Sequence, residues 1–130
     1  MLQIIDGPDQ IGAYKLTGTL TAEDFGGIVS DIEGRLSRNK RVGLVVDIAA
    51  LDDITLRALA KDLRYGFGKI LEWHRFPREA LITDKDWVRK LARLANLIVP
   101  FVHVRVFMPG EDTAAFAWVA EAVPASEAPK

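Results

Sequence analysis

The chain has 130 residues, an ordinary length for one domain, and 49% of them are hydrophobic, which is enough to build a core. It contains no cysteine, which excludes disulfides, thiolate nucleophiles and thiolate metal sites. The formal net charge of −1 argues against a dedicated nucleic-acid-binding protein. No apolar run approaches the roughly 18 residues of a membrane span, and the first residues lack the features of a signal peptide. We therefore expect a cytoplasmic protein.

Taken in chain order, the predicted elements alternate between strands and helices. Strands are predicted at 2–5, 11–17, 42–49, 78–82 and 102–107. Helices are predicted at 21–37, 56–73, 85–98 and 111–122. Thr21 and Asp24 form a capping box at the start of the first helix, and the valine-rich run at 42–49 is typical of a central strand covered on both faces.

The order ββαβαβαβα predicts an α/β fold with a mixed, mostly parallel five-stranded sheet, because strands separated by helices pair in parallel through crossovers. The first two strands are expected to form an antiparallel hairpin. We expect a single domain over residues 1–122. Residues 123–130 are small, polar and proline-containing, which predicts a flexible C-terminal tail.

The residue types that carry catalysis are absent or badly placed. The two histidines, His74 and His103, have no carboxylate or histidine at metal-ligand spacing, so no metal is expected. No serine follows a predicted strand, and no glycine-rich phosphate loop is present. Asp47, Asp52 and Asp53 surround the predicted turn after the central strand, where helix capping by an aspartate is a better interpretation than catalysis. We predict no enzyme, no catalytic residues and no cofactor.

Charge is distributed unevenly along the chain. Residues 54–93 carry ten basic and five acidic residues, whereas the segments before and after them are acidic. In this segment, basic residues lie beside aromatic and apolar ones on the second and third predicted helices, a pattern of interfacial helices that also suits packing against a partner. The candidate ligand-binding or membrane-binding residues are Arg57, Lys61, Arg64, Phe67, Leu71, Trp73, Trp87, Arg89, Lys90, Arg93, Leu94 and Leu97.

Two segments of the C-terminal half resemble a known family. They are ALITDKDWVRKLARLANLI and VHVRVFMPGEDTAAFAWVAEA. In the first segment Asp84, Lys85 and Trp87 lead from the strand into the third helix, and in the second Phe107, Pro109, Ala117 and Trp118 mark the last strand and helix. The pattern resembles the SpoIIAA-like family, which is related to the STAS domains of anti-sigma factor antagonists. The resemblance covers about residues 2–122 and implies a SpoIIAA-like, STAS-like fold.

The resemblance implies a non-enzymatic module rather than the sigma-factor switch. The segment from Thr55 to Ala58 has no serine at the position equivalent to the phosphorylated serine of true antagonists. Members of the SpoIIAA-like family are thought of as modules that bind small ligands or membranes, with helices that shift to expose an apolar pocket. Thr55 itself is better suited to capping a helix than to phosphorylation.

Two interpretations therefore remain open. In the first, the second and third helices bind an apolar or lipid-like small molecule, or associate peripherally with an anionic membrane surface. In the second, the domain is a STAS-type protein–protein interaction module without the phosphorylatable serine. The candidate partner-docking residues for that module are Asp52, Asp53, Thr55 and Arg57. A homodimer is also plausible, because Phe116, Trp118 and the third helix offer more apolar surface than a small sheet covers.

Overall fold

The computed structural model describes residues 1–54, 64–65, 74–98 and 103–123. Within these ranges the main sheet has the strand order β1-β2-β4-β6-β7, and two shorter strands, β3 and β5, pair separately. The strands are β1 (Leu2–Ile4), β2 (Ile11–Leu16), β3 (Gly18–Leu20), β4 (Gly43–Asp47), β5 (Leu51–Ile54), β6 (Arg78–Ile82) and β7 (His103–Phe107). The helices are α1 (Ala22–Arg38), α2 (Asp86–Ile98) and α3 (Asp112–Ala120).

The pairing confirms the predicted mixed, mostly parallel sheet. β1 is antiparallel to β2, and the remaining pairs of the main sheet are parallel. The small β3–β5 sheet was not predicted, and Asp52 and Asp53 lie inside β5 rather than in a turn. Apart from Arg64 and Tyr65, which have helical backbone, the second predicted helix lies outside the described residues.

The main sheet is covered on both faces, and each face has its own core cluster. On one face α1 packs on β2, and the buried residues include Tyr14, Leu16, Ile28, Ile32 and Leu36. On the other face α3 packs on β4, β6 and β7, and the buried residues include Ile11, Ala13, Val45, Ala80, Ile82 and Val119. The crossovers β2–α1–β4 and β6–α2–β7 progress in the same direction across the sheet. Because crossovers between parallel strands are right-handed, the two helices lie on the same face of the sheet, so α2 lies on the α1 face.

Gly43 sets how closely α3 approaches the sheet. A Cβ atom at this position would lie 2.2 Å from Val119 Cγ1 and 3.3 Å from Val123 Cγ2. Because real Cβ atoms do not approach so closely, only glycine allows α3 to lie at its present distance from β4. Val123, the first residue of the predicted tail, is buried in the same core cluster, and residues 124–130 lie outside the described residues.

The N-terminus of α1 confirms the predicted capping box. The Thr21 hydroxyl accepts a hydrogen bond from the Asp24 backbone N–H at 3.1 Å, and the Asp24 carboxylate accepts one from the Thr21 backbone N–H at 3.2 Å. These bonds satisfy donors that have no partner within the helix, so α1 begins at a defined residue.

A polar network ties α1 to β2 and to the loop before it. Asp31 accepts hydrogen bonds from the Tyr14 hydroxyl at 2.6 Å and from Arg35 Nε at 2.7 Å, and Arg35 also donates to the backbone oxygens of Pro8 and Asp9. Burial and the bond to Asp31 raise the pKa of Tyr14. Burial alone would raise the pKa of Asp31, but the bonds from Tyr14 and Arg35 lower it overall.

Candidate functional site

The site is built around α2, whose sides differ sharply in exposure. Val88 and Ala92 are buried, each with only 5% of its surface exposed, and they hold the helix against the protein. Lys90 and Arg93 are exposed and Arg89 is half-buried. We call Arg89, Lys90 and Arg93 the basic face.

The start of α2 is ordered by a local hydrogen bond. Thr83 is fully buried, its backbone N–H donates to the Phe107 oxygen at 3.0 Å, and its hydroxyl accepts from the Lys85 N–H at 3.1 Å. The helix begins at Asp86, so Thr83 shapes the turn before it. Asp84 and Asp86 are exposed here, and the charge of Asp86 suits a helix N-terminus.

The last part of α2 is hydrogen-bonded to the edge of the sheet. The Asn96 side-chain amide donates to the Val104 backbone oxygen at 2.7 Å, and its oxygen accepts from the Val104 N–H at 2.7 Å. β7 is an edge strand of the main sheet, so Asn96 takes the place that a neighbouring strand would occupy at this residue. This pair of hydrogen bonds fixes the position of α2, and with it the basic face, relative to the sheet.

An exposed apolar side chain lies next to the basic face. Met108 follows β7 and is 45% exposed, and its sulfur lies 3.3 Å from Nη2 of Arg89. The Met108 oxygen accepts from the Glu111 N–H at 3.0 Å, while Pro109 and Gly110, with φ of 96°, occupy the two central positions of the turn. The Glu111 carboxylate accepts from the Met108 N–H at 2.6 Å, which closes the turn a second time. Met108 is therefore presented by a tight, hydrogen-bonded turn.

The structure brings together part of the predicted site. Arg89, Lys90 and Arg93 form one face, and Arg64 and Asp52 are exposed elsewhere in the described chain. The predicted residues outside the described residues are Thr55, Arg57, Lys61, Phe67, Leu71 and Trp73. For Asp53, Trp87, Leu94 and Leu97 the backbone is described but the side chain is not. Their assignments stay predictions.

The role of Met108 in this region was not predicted from the sequence. The exposure of Met108 and its contact with Arg89 depend on the packing of two separate elements. The Pro109-Gly110 pair was a usable signal, because proline followed by glycine specifies the type II turn that presents the preceding side chain.

The aspartates considered for chemistry have structural surroundings. The Asp47 carboxylate accepts from the Ala49 backbone N–H at 3.0 Å, which closes the turn after β4. Among the described residues, no three histidine or acidic side chains are grouped closely enough to hold a metal ion. In the same part of the chain, no helix combines the length and the apolar character needed to cross a bilayer.

Comparisons with known proteins agree on the fold. The chain is similar over 92% of its length to an uncharacterised protein from Shewanella loihica with a SpoIIAA-like fold, at 26% identity and a TM-score of 0.68, covering 92% of that chain. It is also similar in fold to the unphosphorylated anti-sigma factor antagonist SpoIIAA, at 14% identity and a TM-score of 0.59, covering 91% of this chain and 97% of that one. The search of curated proteins found no match.

A family model also matches the chain. The SpoIIAA-like model matches residues 11–120, which include every element from β2 to α3. This span contains the first of the two segments on which the resemblance was based, residues 80–98, and all but the last two residues of the second, residues 102–122, so that expectation is confirmed. The chain belongs to the SpoIIAA-like family.

Proposed function

We propose that this protein is a non-enzymatic module that associates peripherally with anionic membrane surfaces through the basic face of α2. The observation that carries the proposal is the placement of Met108 beside that face, with its sulfur 3.3 Å from Arg89. An apolar side chain that can enter the headgroup region, next to several cations that attract acidic lipids, is the arrangement of an interfacial contact.

The rigidity of the surroundings supports this proposal. Asn96 joins α2 to β7 by two hydrogen bonds to Val104. In the turn at 108–111, the backbone N–H and oxygen of Met108 are both hydrogen-bonded to Glu111. A membrane contact made by such a surface loses little conformational entropy on binding, since the contacting groups are already placed. The SpoIIAA-like fold itself supports an interaction module rather than a catalyst.

Co-sedimentation with lipid vesicles tests the proposal. Wild-type protein is expected to sediment with vesicles containing phosphatidylserine and not with vesicles of phosphatidylcholine alone. The Lys90→Ala/Arg93→Ala double variant should bind about thirtyfold more weakly, because each cation near an anionic surface contributes about 1 kcal/mol. Added salt should weaken wild-type binding in the same direction.

A matched control removes the same charge elsewhere. Lys15 and Lys40 are exposed and lie outside α2, so Lys15→Ala/Lys40→Ala lowers the net charge equally without touching the basic face. We expect this control to bind nearly as well as the wild type. Equal loss of binding in the two double variants would show that only total charge matters, and the proposed site would be wrong.

A second candidate function is the docking of a protein partner on β5. It is favoured by Asp52, an exposed acidic residue on a short strand that leads toward the second predicted helix. An affinity pull-down with Asp52→Lys tests it. A partner retained by the wild type and lost by the variant would support this function, and an unchanged set of partners would count against it.

A further inference from the structure

On the opposite face of the sheet from α2, two arginines lie close to a pair of aromatic rings. The guanidinium of Arg78 lies 4.9 Å from the ring centroid of Trp118, and that of Arg105 lies 5.0 Å from Phe107 and 5.9 Å from Trp118. The two rings are 5.9 Å apart and tilted by 54°. We call these four residues the arginine–aromatic cluster, which joins β6, β7 and α3.

The two arginines differ in what they bind. Arg78 donates to the Trp118 backbone oxygen at 2.6 Å and to the Glu121 carboxylate at 2.8 Å, so its charge is already compensated. Arg105 is exposed, and within the described residues it makes its ring contacts but no hydrogen bond or ion pair. Its guanidinium lies over the rings, and no described residue accepts a hydrogen bond from its N–H groups.

We propose that the arginine–aromatic cluster docks an acidic segment of a protein partner, with one carboxylate held by Arg105. A guanidinium that already lies against two aromatic rings can form two parallel hydrogen bonds with a carboxylate at a reduced cost in conformational freedom. Arginine and tryptophan are also the residue types that contribute most to binding at protein interfaces. This docking function is separate from the membrane contact proposed for α2.

The charge of the cluster favours a carboxylate over a phosphate group. Arg78 and Glu121 neutralise each other, which leaves the single positive charge of Arg105, and this charge would compensate only about half of the charge of a phosphate ester that carries nearly two negative charges. A carboxylate brings the single negative charge that matches Arg105. His103, exposed two residues earlier on the same side of β7, can add a hydrogen bond.

The edge of β7 favours recognition by side chains. Asn96 already occupies the outward-facing backbone groups of Val104, so an extended peptide cannot pair with β7 at that residue. Beside the cluster, the outer side of α3 exposes the small side chains of Ala114 and Ala117, which leave a partner segment room to lie close to the rings. We therefore expect the cluster to bind the acidic side chains of the partner rather than its backbone.

Nuclear magnetic resonance of the full chain tests the proposal, with oligoglutamate as the probe. Oligoglutamate should shift the Arg105 Nε–H and Trp118 indole N–H signals, whereas oligoglutamine of the same length should not. Arg105→Ala should weaken binding about tenfold or more, because a hydrogen-bonded ion pair is lost. Arg105→Lys should weaken it nearly as much, since lysine keeps the charge but lacks the planar fork.

Lys15→Ala is the matched control, since Lys15 is an exposed cation on the same face of the sheet and outside the cluster. Its binding of oligoglutamate should equal that of the wild type. The proposal is overturned if oligoglutamate leaves both signals unchanged, or if Arg105→Lys binds as well as the wild type. Tighter binding of inorganic phosphate than of oligoglutamate would also overturn it, by assigning the cluster to phosphate anions.

Discussion

At the scale of single residues, the positions of the helices depend on a few exact fits. Gly43 leaves the space that Val119 fills, and the Tyr14 hydroxyl reaches the carboxylate of Asp31 on α1. Neither fit involves an exposed residue, yet both determine where α1 and α3 lie on the sheet. Substitutions here should therefore change stability without removing any surface group.

Gly43→Ala is expected to destabilise the protein by about 1–3 kcal/mol, because the added methyl overlaps Val119 and forces α3 away from β4. Gly26→Ala is the matched control. Gly26 lies inside α1, and no atom of the described residues comes within 4 Å of the place its Cβ would take, so alanine should stabilise the helix by about 1 kcal/mol. Urea denaturation measures both changes, and a loss of stability at Gly26 equal to that at Gly43 would contradict the packing argument.

Asp31→Asn tests the polar network through its dependence on pH. The folded protein lowers the pKa of Asp31, so the stabilisation is present above the unfolded value near 3.9 and is lost as the pH falls through the folded pKa. At neutral pH the variant should be less stable than the wild type by about 1–3 kcal/mol. On acidification below about pH 4 the difference should shrink. A difference that stays constant with pH would show that ionisation of Asp31 does not stabilise the fold.

At the scale of elements, the edge strand β7 depends on a side chain from α2. Asn96→Ala should leave the Val104 N–H and oxygen with water as their only partner, and reduce stability by about 1 kcal/mol. Hydrogen exchange should accelerate at the Val104 amide. The His103 amide, which donates to the Pro77 oxygen at 2.9 Å, is the internal control and should be protected as before. Equal acceleration at both amides would indicate general unfolding rather than loss of this contact.

At this scale, the long elements could be predicted from the sequence and the shortest strands could not. Long elements with clear periodicity were predicted closely, as α1 was at 21–37 against Ala22–Arg38. β3 and β5 were missed because they have three and four residues, and the aspartates in LDDI disfavour a strand until it pairs with a distant segment. Lys90 and Arg93 are exposed on a helix that the sequence predicts, and their role in binding stays a prediction. The contacts of Met108 with Arg89 and of Arg105 with Trp118 join different elements, so spacing within one element does not reveal them.

At the scale of the whole molecule, the sheet separates two charged surfaces. The basic face lies on α2, while the arginine–aromatic cluster lies on the α3 face. If both proposals hold, the domain can contact an anionic membrane and an acidic protein segment at the same time. Loss of one function by substitution should then leave the other intact, so Arg105→Ala should retain vesicle binding and Lys90→Ala/Arg93→Ala should retain oligoglutamate binding.

The most direct test of the membrane proposal uses the absence of cysteine, since one introduced cysteine can be labelled alone. Met108 and Ile4 are both 45% exposed, and they lie at opposite edges of the main sheet. A polarity-sensitive fluorophore attached at Met108→Cys should shift to the blue and brighten on phosphatidylserine vesicles, while the same fluorophore at Ile4→Cys should not change. Equal responses at the two positions, or no response at Met108→Cys under conditions where the protein sediments with the vesicles, would contradict binding through the basic face.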